Sequence, residues 1–150
     1  MPDLVPLNVI PPMTPAAIMR VRNLEDMQLA LNPRGNLPIQ HDLHAGMYAR
    51  TVMVPKGLQI TGALIKIPTI LVVSGDCFVT LGDDVRRIRG YMVLRAAAGR
   101  KQAFSARADT YLTMIFPTMA QTVDAAERAF TDEFDRLANR RNEGDSACQA

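Results

Sequence analysis

The stretch GLQITGALIKIPTILVVSGDCFVTLG, residues 57–82, breaks into short apolar runs separated by turn formers. Leu58–Thr61, Ala63–Ile67, Thr69–Val73 and Cys77–Leu81 are divided by Gly62, Pro68 and Ser74-Gly75-Asp76, and Gly82-Asp83-Asp84 closes the series. Branched aliphatic side chains fit a pleated surface, whereas Gly, Pro and Asp favour the backbone angles of turns. The punctuation continues on both sides. Upstream, Tyr48–Val54 ends at Pro55-Lys56-Gly57; downstream, Val85–Arg89 and Tyr91–Arg95 flank Gly90, Lys101–Ala106 follows Gly99, and Thr110–Phe116 ends at Pro117. About eight short strands at this spacing predict a mainly β sandwich or barrel from Met47 to Phe116.

Outside the barrel the pattern changes twice. Residues 1–22 carry Pro2, Pro6, Pro11, Pro12 and Pro15 among Leu4, Val5, Leu7, Val9, Ile10 and Met13, which reads as an extended apolar arm. Such an arm packs either on its own barrel or on a neighbouring subunit, with Leu7, Ile10 and Met13 as contacts. A short helix is expected from Asn23, with Asn23 as cap, Asp26 in the first turn and Leu24, Met27 and Leu31 on one face; Asn32, Pro33 and Gly35 end it. Residues 23–117 then form the barrel with its leading helix. From 118 to 150 the chain is expected to make a C-terminal amphipathic helix and a polar tail. Asp124 and Glu127 resemble a capping box, Val123, Ala126, Phe130, Phe134 and Leu137 form the stripe, and Arg136, Arg140 and Arg141 suit the C-terminal end.

Composition narrows the function classes. A chain of 150 residues, 48% apolar, is sized for one domain. It has no membrane-spanning run and no secretion signal at its start, and two cysteines, Cys77 and Cys148, make a poor disulfide framework. A reducing compartment and no membrane association are expected. Seventeen basic and 15 acidic residues are too balanced to make nucleic acid an expected partner.

The segment PKGLQITGALIKIPTILVVSGD resembles the first cupin motif, with Gly57 and Gly75 in place. Val21–Gly57 is similar, more narrowly, to small cupin-like proteins of tailed phages and prophages, through the helix, Pro38-x-x-His41, Gly46-x-Tyr48 and Ile60-Thr61-Gly62. The resemblance implies a single cupin-like double-stranded β-helix, a jelly-roll barrel. It also implies metal-ligand positions, and these hold the wrong residues. The two motif-one histidine positions fall on Ala63 and Ile65, the glutamate position near Thr69 or Ile70, and the second-motif histidine position on Gln102 or Arg107. Divalent transition metals need imidazole, carboxylate or thiolate donors. No metal or other cofactor is therefore expected, and the apolar replacements predict a packed core where a pocket would be.

Other residue groups invite chemistry. His41 and His44, in a segment read as preceding the first strand, can reach a metal only if that segment curls back; a hydrogen bond tying the segment to the barrel is the simpler reading. Arg86, Arg87, Arg89, Arg95, Arg100, Lys101 and Arg107 are expected as solvated charges or a basic docking face, Arg87 and Arg89 on one side of a strand and Arg86 on the other. Asp83 and Asp84 read as a turn, and Cys77 as an inert core thiol. Phe130, Phe134 and Leu137 pack on their own domain or on another subunit.

These readings lead to three functional expectations. The first is a non-enzymatic structural or assembly protein of a tailed-phage particle: a head-decoration, head-to-tail or tail component. It would be a homo-oligomer that contacts other phage structural proteins, located in the virion or, before assembly, in the host cytoplasm. The second is a metal-dependent cupin enzyme with atypical ligands such as His41, His44 and Gln102. The third is a small-molecule-binding or regulatory module in which Arg100, Lys101 or Arg107 grips an anion.

Overall fold

Gly75 and Gly90 face one another across a strand pair and set the bend of the barrel. The computed structural model describes residues 8–31 and 37–137. The elements are β1 (Val9–Ile10), α1 (Pro15–Leu31), β2 (Ile39–His44), β3 (Met47–Val54), β4 (Gln59–Thr61), β5 (Thr69–Leu81), β6 (Asp84–Ala96), β7 (Ala103–Ala106), β8 (Thr110–Pro117) and α2 (Val123–Phe130). A 3-10 turn, Phe134–Arg136, follows α2.

The sequence suggested breaks at Ser74-Gly75-Asp76 and at Gly90, yet both lie inside long strands. β5 and β6 pair along their whole length, from Thr69 with Ala96 to Leu81 with Asp84. What changes at Gly75 is the neighbour on the other side. Residues 70–74 of β5 pair with β8, whereas residues 77–79 pair with β7. One bent hairpin therefore serves both walls of the barrel: β2, β3, β8, β5, β6 and β1 follow one another along one path, and β4 and β7 extend the other half of β5. No side chain fits at the bend. A Cβ on Gly75 would stand 2.5 Å from Thr110 Oγ1 and 2.8 Å from the Asp109 carbonyl oxygen, at a φ of +147°. Only glycine permits that approach.

The result is the mainly β, cupin-type double-stranded β-helix, with a mixed sheet because β1 joins β6 in parallel. Alternate side chains point inward, as strand periodicity requires. Leu71, Val73, Cys77 and Val79 of β5 meet Ile88 and Leu94 of β6 and Leu112, Met114 and Phe116 of β8 in the core.

Several boundaries differ from expectation. α1 begins at Pro15 rather than Asn23, so the extended arm is shorter than residues 1–22. Thr14 caps it, its Oγ1 accepting the Ala17 N–H at 3.1 Å. Pro15 occupies the first helical position, where a missing N–H costs nothing. Before the helix, β1 lies on the chain's own barrel: the Asn8 and Ile10 carbonyls accept from the Arg95 and Ala97 N–H groups, and Ile10 is buried. Met13 is half-buried, its N–H bonded to the Gly99 carbonyl. Leu7 and residues 32–36, including the expected helix stop Asn32-Pro33-Gly35, lie outside the described residues.

The histidine segment is not a loop but β2, paired with β3 from Ile39–Val52 to His44–Met47. Ala63–Ile67 is not a strand; it touches the sheet through one bridge, Ile65 with Arg100, because Gly62 and Pro68 bracket it closely.

α2 is half the expected length. Thr122, not Asp124, caps it, accepting the Ala125 N–H at 3.1 Å. The capping-box pair is diverted: Asp124 bonds Arg128 one turn on, and Glu127 turns into the core to meet Arg50 at 2.7 Å. Phe130 stacks on Tyr48 with ring centres 6.4 Å apart and meets Phe116 edge-on at 6.0 Å. Phe130 and Leu137 are thus buried in their own domain, with Phe134 packed beside them under the Arg128 guanidinium. Arg140, Arg141 and Cys148 lie outside the described residues.

Candidate functional site

Between the two walls, among the described residues, the barrel holds a cavity of about 590 Å³. β3 contributes Arg50 and Val52 to its lining, β8 contributes Leu112 and Met114, β5 contributes Leu71 and β7 contributes Phe104. Glu25, Gln28 and Leu29 of α1 also line it, as do Phe130 at the end of α2 and Arg136 and Leu137 beyond it. A closely packed interior was expected here, and the structure corrects that. Ala63 is far smaller than an imidazole, and Ala63 and Ile65 line the space without filling it.

Ala63, Ile65 and Gln102, the three positions singled out as lost ligands, all line this cavity. The first two carry no donor atom. Gln102 is buried, and its Nε2 donates to the Thr80 carbonyl at 3.0 Å. Among the described residues, no three His, Cys, Asp or Glu side chains converge as a metal requires. The residues do not fit the metal that the cupin resemblance implies. His41 and His44 are separated as well: β2 buries its odd positions, so His41 turns in and its Nδ1 lies 2.7 Å from the Tyr48 hydroxyl, while Asp42 and His44 turn out.

The cations expected to grip an anion fall into three environments. Lys101 is fully buried, yet its Nζ donates to Glu133 at 2.7 Å, Glu25 at 3.0 Å and the Gly62 carbonyl. Burial opposes ionisation of Glu133, but hydrogen bonds from Lys101 and the Leu64 N–H outweigh it and hold the carboxyl below its usual range. Arg22 and Arg136 extend the network to Glu133, Glu25 and Asp26, tying α1 and the C-terminal turn to the barrel rim. Arg107 lies outside, over one side of the Phe78 ring, with Arg87 5.7 Å from the same centroid. Arg100 alone of the three lines the cavity.

Arg100 is 2% exposed and donates to the Ala97 carbonyl and to Thr69 Oγ1, both at 2.7 Å. Both acceptors are neutral. Burial pulls its pKa down to about 10. Arg50, on the same cavity, has its carboxylate in Glu127. The sequence offered no signal for the pairing of Arg50 with Glu127, which are far apart in the chain and on different element types.

On the outside, Arg87 and Arg89 share the exposed face of β6 as expected, and Arg86 turns the other way to donate to the Val9 carbonyl. Arg87 grips Asp76 with two hydrogen bonds, 2.7 and 2.9 Å, and lowers its pKa. The same face carries exposed apolar groups that sequence reasoning passed over. Tyr91 is 71% exposed, and Ser74 joins it to Tyr111 of β8; Val93 and Ile70 lie alongside. The alternation VRRIRGYMV was the available signal. Cys77 is buried, its thiol pushed up to about 11 by desolvation, as an inert core thiol should be. Asp83 pairs with Arg20 at the turn after Gly82, and Asp84 opens β6.

The class defined by this architecture is a cupin-type barrel with a donor-poor interior. No protein-family model matches the chain, and no curated protein does. Solved structures do. A cupin superfamily protein from Desulfitobacterium hafniense is similar at 11% identity and a TM-score of 0.47, over 57% of this chain and 80% of that one. A cupin-2 domain containing protein from Shewanella frigidimarina aligns at 12% identity and 0.43, over 63% and 92%. A protein with a double-stranded β-helix domain from Klebsiella pneumoniae aligns at 14% identity and 0.46, over 57% and 81%. Likeness of this degree says nothing about ligand or activity. No helix among the described residues is long and apolar enough to cross a membrane.

Proposed function

We propose that the protein works by binding rather than by catalysis, as a metal-independent cupin whose barrel is a small-molecule site. One observation carries the reading: Ala63, Ile65 and Gln102, standing where the family places ligands, line an open and largely apolar cavity. Its volume falls within the range of small-molecule pockets, roughly 300–1,000 Å³. Elemental analysis of the purified full-length chain tests it. The expected transition-metal content is far below one per chain; a near-stoichiometric metal that His41→Ala removes would sink the reading.

A second reading concerns assembly, and the outer face of β5, β6 and β8 favours it. Exposed Tyr91, Val93, Ile70 and Tyr111 lie side by side, rimmed by Arg89 and Arg95, and such patches commonly mark protein contacts. Together with the similarity of Val21–Gly57 to phage-encoded proteins, this supports a structural or assembly role in a tailed-phage particle. The chain would act as a homo-oligomer contacting other phage structural proteins, in the virion or in the host cytoplasm before assembly. Contacts then run through the sheet face rather than through Ile10, Phe130 and Leu137, which pack within the chain. Mass spectrometry of purified virions, together with sedimentation of the wild type against Tyr91→Glu, tests it. Absence from particles and an unchanged sedimentation coefficient would remove this reading while leaving the cavity untouched.

A further inference from the structure

The geometry points to an amphipathic monocarboxylate as the ligand of the barrel cavity, with its apolar body between Ala63, Ile65, Leu112 and Met114 and its carboxylate against the Arg100 guanidinium. This inference rests on the reading of the barrel as a small-molecule site and adds the chemical class.

The argument begins with a charge that lacks its counterpart. Taking a guanidinium out of water is costly unless a paired charge and hydrogen bonds compensate. Arg100 is 98% out of water and has hydrogen bonds, but both go to neutral oxygens, at Ala97 and Thr69. Among the described residues no carboxylate lies within ion-pair distance of it. Burial alone accounts for its lowered pKa, with no charged neighbour opposing the shift.

Every other cation at the cavity has an acid. Arg50 has Glu127, and Arg136 has Glu25 and Asp26. The positive charge left over is therefore localised at one point of a wall that is apolar through Ala63, Ile65, Leu112 and Met114 and elsewhere carries neutral or paired polar groups. It is also held in place before any ligand arrives. The Arg100 backbone is bridged to Ile65, whose N–H donates to the Arg100 carbonyl at 2.8 Å, and the two side-chain bonds fix the fork. A planar carboxylate matches that fork with paired hydrogen bonds, and a preorganised donor set spends little on ordering. The apolar walls favour a hydrocarbon body over a polyanion, whose further charges would have to compete with Glu127, Glu25 and Asp26 for Arg50 and Arg136.

The test uses full-length protein and three probes of equal chain length: decanoate, decanol and decyltrimethylammonium. Calorimetry at pH 7 is expected to show decanoate binding at least about tenfold more tightly than either other probe, a difference of about 1.4 kcal/mol. Arg100→Gln should abolish that preference, bringing decanoate to the same affinity as decanol. Ala63→Phe, which narrows the cavity and leaves the Arg100 side chain in place, should weaken binding of all three alike. Arg100→Lys keeps the charge and serves should the glutamine variant fail to fold; it should retain part of the preference. Equal affinity for decanoate and decanol, or a preference that survives in Arg100→Gln, overturns the assignment to Arg100 while the cavity remains a small-molecule site. Failure of all three probes to bind overturns both.

Discussion

Replacing Gly75 by alanine should be among the most damaging single-methyl changes in the chain. The added Cβ would lie 2.5 Å from Thr110 Oγ1, 2.7 Å from Thr110 Cα and 2.8 Å from the Asp109 carbonyl oxygen. Two of those atoms are backbone, and the third is fixed. Thr110 is fully buried, its hydroxyl accepting from the Asp76 N–H at 3.1 Å and lying within hydrogen-bond reach of the Asp76 and Ala108 carbonyls. Forcing a methyl into a packed site costs about 1–3 kcal/mol. Holding an L-residue at positive φ adds roughly 1–2 kcal/mol. The sum, about 2–5 kcal/mol, is a large part of the roughly 5–15 kcal/mol that stabilises a typical domain. Urea unfolding followed by circular dichroism measures it, with a drop in Tm of roughly 5–20 °C as the thermal counterpart. Gly82→Ala is the control: φ is +64° there and nothing lies within 4 Å of the added carbon, so only the backbone contribution applies. If the two variants unfold within about 0.5 kcal/mol of one another, the close approach at the bend is not what demands glycine.

Two further outcomes follow from the buried charges. Lys101→Met leaves Glu25 and Glu133 without their shared cation and should destabilise the protein by about 3–5 kcal/mol; the double variant with Glu133→Gln should cost clearly less than the sum of the singles, and strict additivity in urea would refute the network. Glu133 has a folded pKa below its ordinary value of 4.5, so its contribution is fully present above that pH and is lost as the pH falls through the lower folded value. Stability measured between pH 6 and 3 should therefore decline less steeply in Glu133→Gln than in the wild type, and parallel curves would contradict the assignment.

Much of the architecture was legible because it rests on local rules. Runs of Val, Ile and Leu between Gly, Pro and Asp mark strands and turns wherever they occur, and the spacing from Gly57 to Gly75 carried the cupin resemblance. The errors also have local causes. Gly75 and Gly90 look like turn residues, but a glycine inside a strand can equally mark a close approach of another backbone, and only the position of Thr110 decides which. Pro15 looks like a barrier to helix formation, yet it starts α1 because Thr14 stands before it as a cap. The histidines looked adjacent in a loop; the pleat of β2 puts them on opposite faces.

The sequence by itself determined the class of fold and the missing donors at Ala63, Ile65 and Gln102, since both depend on residue type and spacing along one chain. Only the tertiary structure decided what those substitutions left behind. Whether small apolar replacements close a barrel or leave it open depends on how far apart the walls stand, and residues remote in sequence decide that together. Which of the cations lining the cavity lacks an acid, among the described residues, is likewise a question of distance in space. Lys101 and Arg100 are neighbours in sequence, but one meets Glu25 and Glu133 while the other lines the cavity with neutral acceptors alone.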